Sequence, residues 1–289
     1  VAEALKAIDD FDPHVVLTDL DLGHGPDGAD LLTKVFKERP WTGMVIMTAV
    51  QGGAGLLIAL GRPFPEGAVW LWLLASGALH AAYKLFLAYA YEHGDLSRVY
   101  PIARGVAPLI VLVVGAVLLA DVISVAAYVG VMVLGLGILL MANGALGSGE
   151  NRRLIPFALF SAMATAGYSL VDGMGARVAG DAATFVAWLF AIDAALMLPT
   201  AAALRGTAIF RASLRSWGLG ALAAAGSYGA YAIAVWAMTQ APIALVAALR
   251  ETSILFAVAI GVFFFGERLD RAKMIAATLI VGGMILTRL

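Results

Sequence analysis

The sequence has no cysteine, only four histidines, and few charges for its size. Of its 289 residues, 13% are charged and 62% hydrophobic, and the mean hydropathy is +0.90. Each shortage removes a class of function. Without cysteine there is no disulfide framework, no thiol nucleophile and no thiolate-held metal. His14, His24, His80 and His93 are scattered, with none of the spacing that sets two imidazoles on one metal, so neither a metal nor a cofactor is expected. No basic run offers a nucleic-acid footprint. No nucleophile–base pair appears, which argues against an enzyme. A soluble domain is about 25% charged and about 45–50% apolar. The apolar excess here is too large for one water-facing core, so most of the chain is expected to be dissolved in lipid.

The few charges are unevenly spread. Residues 1–50 hold nine acids and four bases, whereas residues 51–289 hold eleven acids and fifteen bases. Two kinds of polypeptide are therefore expected to meet near residue 50. Beyond it, apolar blocks of membrane-crossing length alternate with short polar breaks. Spans are expected at 68–92, 99–120, 122–144, 154–176, 183–204, 216–239, 242–265 and 271–288, with a weaker ninth candidate at 43–61. The blocks are rich in Ala, Leu and Gly and lack two-residue alternation, so they predict packed helices rather than a β-barrel. The fold class expected is an all-α multi-pass membrane protein of eight or nine helices.

Sliding the chain against itself by 146 residues lays 76–143 on 222–289 without a gap. Arg104 lands on Arg250, Gly137 on Gly283, and Asp121 on Glu267. Two aligned arginines inside apolar spans carry weight, because a mid-bilayer arginine costs about 3 kcal/mol even on lenient insertion scales. Equivalent spans lie five helices apart, and an odd offset inverts the second copy. Inverted repeats with a midplane site are a transporter architecture. The partner of span 154–176 should lie near 8–30, a stretch too acidic to cross a bilayer. The pattern therefore predicts a repeat of five plus five helices lacking its first, divided at 51–146 and 147–289. Exposing the gap would favour a homodimer.

Seven ionisable residues lie inside the spans: His80, Lys84, Arg104, Asp172, Asp193, Arg250 and Glu251. Three firm cations and three acids sum to zero, as charges enclosed by lipid should. His80, Tyr83 and Lys84 fall on one helical face, and Tyr168 and Asp172 on another. Arg104 follows Tyr100-Pro101 and precedes Gly105, which predicts a locally weakened helix at the cation. Arg250 and Glu251 are adjacent and so point about 100° apart, so only one of them can face a cavity. The substrate-binding set expected is His80, Tyr83, Lys84, Tyr100, Arg104, Tyr168, Asp172, Arg250 and Glu251, with Asp172 or His80 as the proton carrier. The alternative is that these residues form ion pairs that only fix helix register. Loop arginines and lysines number nine on one side and three on the other, which puts the C-terminus outside the cytoplasm.

The stretch Gly94-Asp95-Leu96-Ser97-Arg98-Val99-Tyr100-Pro101-Ile102-Ala103-Arg104-Gly105-Val106-Ala107-Pro108 resembles the EamA family of the drug/metabolite transporter superfamily. So do Leu249-Arg250-Glu251-Thr252-Ser253, Phe265-Gly266-Glu267-Arg268-Leu269 and Tyr168 to Arg177. The resemblance implies ten helices in two inverted halves, a central cavity, and export or exchange of a small polar metabolite or drug across the plasma membrane (the inner membrane of a bacterium). Residues 1–50 are similar to the middle of a response-regulator receiver domain, through Pro13 to Leu22, Gly25 to Gly28 and Met44 to Ala49. That likeness implies a short α/β fragment with strands at Val15 to Leu17 and Met44 to Met47, Asp19 as phospho-acceptor and Thr48 as switch hydroxyl. The receiver family's acidic pair has no counterpart, so the segment is expected to be a non-functional remnant. The competing expectations are a two-component signalling protein whose receiver-like segment regulates a membrane module, or an inactive fusion product.

Overall fold

The computed structural model describes residues 40–93, 96–119, 121, 123–143, 153–253, 255–256 and 271–287. Among them the chain is helical, without strands. The helices are α1 (Pro40–Leu60), α2 (Val69–His93), α3 (Leu96–Leu118), α4 (Val125–Asn143), α5 (Leu154–Ala179), α6 (Ala182–Arg205), α7 (Leu214–Gln240), α8 (Ile243–Arg250) and α9 (Arg271–Leu286). Five of these, α1, α2, α5, α6 and α7, are long and apolar enough to cross a membrane. Shorter apolar segments lie in α3 (Ile102–Leu118), α4 (Val125–Leu140) and α9 (Met274–Leu286). Large apolar side chains such as Leu57, Leu71, Val117 and Leu222 are more than 70% exposed, the opposite of a soluble protein's surface. The chain is a multi-pass membrane protein.

Polar and glycine punctuation sets the helix ends. Gly180 closes α5 at a left-handed φ of 72°, which a residue without Cβ adopts freely. Asp181 then caps α6, accepting from the Ala183 amide at 2.9 Å. Ser213 caps α7 in the same way, accepting from the Ser216 amide at 3.1 Å.

Two sequence expectations are corrected here. The run Met44 to Met47, expected as a receiver strand, lies inside α1, which continues unbroken across residue 50. A short apolar run does not by itself distinguish strand from helix, and inside a lipid-facing bundle only the helix satisfies its own backbone. The weak ninth span thus becomes a full 21-residue helix. The other receiver-like segments, with Asp19, lie outside the described residues. The second correction concerns span 242–265. Its helix α8 stops at Arg250, the amides of Glu251 and Thr252 reach back three residues, to Ala248 and Leu249 at 3.1 and 3.2 Å, and helical residues resume at 253 and 255–256. Such tightening inside an apolar span often marks a functional hinge.

Packing pairs α1 with α6, α2 with α5, and α4 with α9. The α4–α9 contact is as close as two helices allow. A Cβ built on Gly130 would stand 2.7 Å from the Gly283 carbonyl oxygen, and one on Gly283 would stand 2.6 Å from the Gly130 oxygen. One turn-pair further, a Cβ on Gly137 would stand 2.9 Å from the Ala276 oxygen. The two helices are therefore antiparallel, and neither glycine position has room for a methyl group. Gly283→Leu is expected to cost about 2 kcal/mol or more through overpacking, seen as a lower melting midpoint in detergent. Gly218→Leu, where nothing lies within 4 Å, should leave the midpoint unchanged. Equal midpoints for the two variants would contradict this account of the interface.

Candidate functional site

A carboxylate inside an apolar bundle must collect donors, and Asp172 on α5 collects three. Its side chain is fully buried. The Ser76 hydroxyl of α2 donates to Oδ1 and the Tyr231 hydroxyl of α7 donates to Oδ2. His80 Nε2, one turn on from Ser76, lies 2.9 Å from Oδ2 and 3.2 Å from the Tyr231 hydroxyl. The imidazole is 4% exposed. It stacks on Tyr168 with centroids 4.0 Å apart, and Tyr231, Phe190 and Tyr83 meet it edge-on at 5.3, 6.2 and 6.5 Å. The result is a titratable His–Asp pair, closed to water and walled by aromatic rings.

Arg250 adjoins this centre through Tyr231, its guanidinium lying 4.9 Å above that ring. Glu251 points elsewhere, as adjacency on a helix requires, and pairs with Arg104 of α3 at 3.5 Å. That separation is long for a charge-assisted hydrogen bond, and Glu251 Oε2 is buried without a partner among the described residues. The helix weakening expected at Arg104 is absent. α3 runs unbroken through it, and Gly105 instead lets α4 approach, a Cβ there meeting Ile138 at 2.9 Å. The tightened backbone lies instead at Arg250–Thr252.

Lys84 belongs to a different group from His80, although both are on α2. Its ammonium donates to Asp193 of α6 and to the Thr48 hydroxyl of α1 at 2.9 Å. Thr48, which the receiver likeness marks as a switch hydroxyl, is thus a fully buried acceptor in a membrane helix. Asp193 Oδ1 has no partner among the described residues. The structure therefore gathers His80, Tyr83, Tyr168 and Asp172, attaches Arg250 through Tyr231, and sets Lys84–Asp193 and Arg104–Glu251 apart as pairs. The Tyr100 side chain and Asp19 lie outside the described residues. Ser76, Tyr231 and Phe190 were not among the expected site residues. Hydroxyls and rings are common in apolar helices, and their only sequence signal is the four-residue spacing of Ser76 from His80.

Both rims of the bundle carry clamps. At one, Glu92 ends α2 and accepts from Trp41 Nε1 at 2.6 Å and from Arg205, whose guanidinium lies over the Trp41 and Tyr89 rings at 4.9 and 5.3 Å. At the other, Arg177 forks onto both oxygens of Asp121 at 2.8 and 3.2 Å and donates to the Met238 and Ala241 carbonyls. The Ile243 amide also donates to Asp121, at 3.0 Å. A cleft of about 240 Å³ opens between α1 and α7, with Gln51 and Tyr228 among its walls.

The arrangement is that of a polytopic α-helical membrane protein with a charged centre sealed inside the bundle. Residues 152–289 match the model of the EamA-like transporter family. A solved crystal structure of a protein shares the fold, with a TM-score of 0.68 over 86% of this chain and 89% of that one at 19% identity. A comparison with curated proteins finds no match.

Two outcomes follow from these pairs. Lys84→Met leaves Asp193 charged and alone, and should destabilise the protein by about 3 kcal/mol or more, whereas Lys84→Met with Asp193→Leu should recover most of that loss. Denaturation midpoints of the four cycle members check this, and an unrecovered double variant would count against the pair. At the rim, burial alone would raise the Asp121 carboxyl, but the hydrogen bonds from Arg177 and the Ile243 amide, with the Arg177 charge, hold it below its ordinary value. A lowered folded-state value means that this stabilisation is complete above the ordinary carboxylate range and is lost as pH falls through the lowered value. Melting midpoints should therefore drop on acidification, and Asp121→Asn should flatten that drop.

Proposed function

We propose that this chain is a transporter of a small polar metabolite or drug, exporting or exchanging it across the plasma membrane by alternating access, with a proton as the coupling ion. The observation that carries this reading is the convergence of α2, α5 and α7 on Asp172, which is buried and bonded to an imidazole. Intramembrane His and Asp residues are the usual material of proton relays.

Alternating access needs two related halves, and the geometry supports an inverted repeat. Shifted by 146 residues, α2 becomes 215–239 against the observed Leu214–Gln240, and α4 becomes 271–289 against Arg271–Leu286. Under the same shift Gly137 corresponds to Gly283 and Gly130 to Ala276. The Gly137–Ala276 and Gly130–Gly283 contacts are therefore one contact seen from each half, the self-complementary signature of a two-fold relation. α1 and α6, also equivalent, pair in the same antiparallel sense, since Gly52 meets Ala194 and Gly55 meets Ala187. The halves proposed are 51–146 and 147–289.

The test is flux into liposomes holding the purified chain and an entrapped pH dye, challenged in turn with amino acids, amines, organic acids and sugars. One class should shift the luminal pH beyond that of empty liposomes, and Asp172→Asn should lower that rate by about tenfold or more while the protein still melts cooperatively. Flux that matches empty liposomes for every class, or that ignores Asp172→Asn, would remove the proposal.

A further inference from the structure

The charges inside the described bundle do not pair off evenly. Lys84 is held by Asp193 and Thr48, and Arg104 by Glu251. Asp172 is satisfied by Ser76, His80 and Tyr231. Arg250 remains as a cation with no carboxylate or hydrogen-bond acceptor within reach among the described residues, its contact being the Tyr231 ring at 4.9 Å. A guanidinium carries five N–H donors. The face of a ring offsets part of the charge and takes up none of those donors. Arg250 is about 10 Å along α8 from Ile243, and Arg104 and Glu251 lie close enough to act on its charge. The residue as a whole is only partly covered. A fixed charge with open donors at that depth is costly unless something fills the site.

We infer that Arg250 is the seat of the transported solute's carboxylate, and that this monoanion enters together with one proton taken up by the His80–Asp172 pair. The inference rests on the transport reading and names its substrate class. The planar fork of arginine matches a carboxylate in bidentate geometry, where lysine offers only a point charge. Charge balance supplies the proton. With His80 neutral, Lys84, Arg104 and Arg250 are balanced by Asp172, Asp193 and Glu251. A bound monoanion alone would leave the lipid-enclosed cluster one charge negative, and a proton on His80 or Asp172 restores zero.

The surroundings leave that pair as the titrating group. Tyr83 from α2, Tyr168 from α5 and Tyr228 and Tyr231 from α7 are neutral at physiological pH. Lys84–Asp193 and Arg104–Glu251 are already paired. Tyr231 links the two sites, because its hydroxyl donates to Asp172 and its ring lies beneath Arg250. Protonating Asp172 weakens the acceptor that holds this hydroxyl, which frees the ring under the guanidinium.

Calorimetric titration of the full chain in detergent tests this directly. The probes are lactate, benzoate and benzenesulfonate, with choline and glucose as controls. Two cationic buffers of different ionisation heat, bis-tris and Tris, count protons without supplying a competing oxyanion. Expected are binding of the anions and not of the controls, uptake of about one proton per anion, and a loss of affinity of about tenfold or more in Arg250→Gln, partly restored in Arg250→Lys. Asp172→Asn should keep anion binding and lower the proton count. Failure of every anion to bind, a proton count of zero, or equal affinity in Arg250→Gln would each overturn the inference. Anion preference and proton count are read on the unmutated chain, so they decide the matter even where a variant does not fold. Flux of a cation or a neutral solute that survives Arg250→Gln would overturn this inference and leave the transport reading standing. Anion binding without flux would do the reverse.

Discussion

The rest of the structure depends on Asp172, because a carboxylate enclosed by lipid-facing helices is tolerable only with donors on every side. Those donors come from α2 and α7, so one side chain fixes the rotation of three helices at once. The small residues around it serve the same end. A Cβ on Gly173, beside Asp172, would stand 2.5 Å from Ile243, and one on Gly175 would stand 2.5 Å from Phe185. α5 can present its acid to α2 and α7 only because its neighbouring positions are bare enough for α6 and α8 to close in. Without a hydrophobic force between helices in lipid, this close approach and the polar contacts it permits are what hold the bundle together.

Charge is graded from rim to centre in a way that fits the proposed cycle. The rim pairs, Asp121–Arg177 and Glu92–Arg205, are partly exposed, and each joins residues distant in the chain. Water can replace such partners when the pair opens, so opening costs little. The central pairs have no such replacement. Lys84–Asp193 and the Asp172 cluster are almost fully buried, and separating either would strand a charge. Motion in this bundle is therefore expected at the rims, about a centre that stays paired. Under alternating access the two rims cannot both remain shut, and Arg177, which binds Asp121 and two carbonyls at the α7–α8 junction, ties one rim to the tightened end of α8.

The spans were legible in the sequence because twenty apolar residues leave little choice of structure. Eight of the nine expected spans coincide with described helices to within a few residues. Partnerships were less legible. His80 and Lys84 share a face by spacing, yet one turns to Asp172 and the other to Asp193, because the helices bracketing α2 each bring one acid. Sequence shows which residues share a face and not which neighbours meet it. Tyr231 was invisible for a related reason: a hydroxyl acquires its meaning from the buried acid opposite. The strand at Met44 failed because an apolar run that would be a buried strand in a soluble α/β domain is equally the first part of a membrane helix.

Under the proposed repeat, Arg104 and Arg250 show how one position can take two roles. Arg104 sits on an unbroken helix and is held by a carboxylate from the other half, Glu251. Arg250 sits where its helix tightens, beside the residue that serves its equivalent. Glu251 bonds to Arg104 and acts on Arg250 only through its charge. Pairing Arg104 thus leaves Arg250 without an acid of its own among the described residues. The position equivalent to Glu251 in the first half is Gly105, which is used to pack α3 against α4. An acid there would have neutralised both arginines and sealed the centre. The glycine keeps the helices close and leaves a cation uncommitted beside a protonatable pair, an asymmetry that a purely structural ion-pair network has no need of.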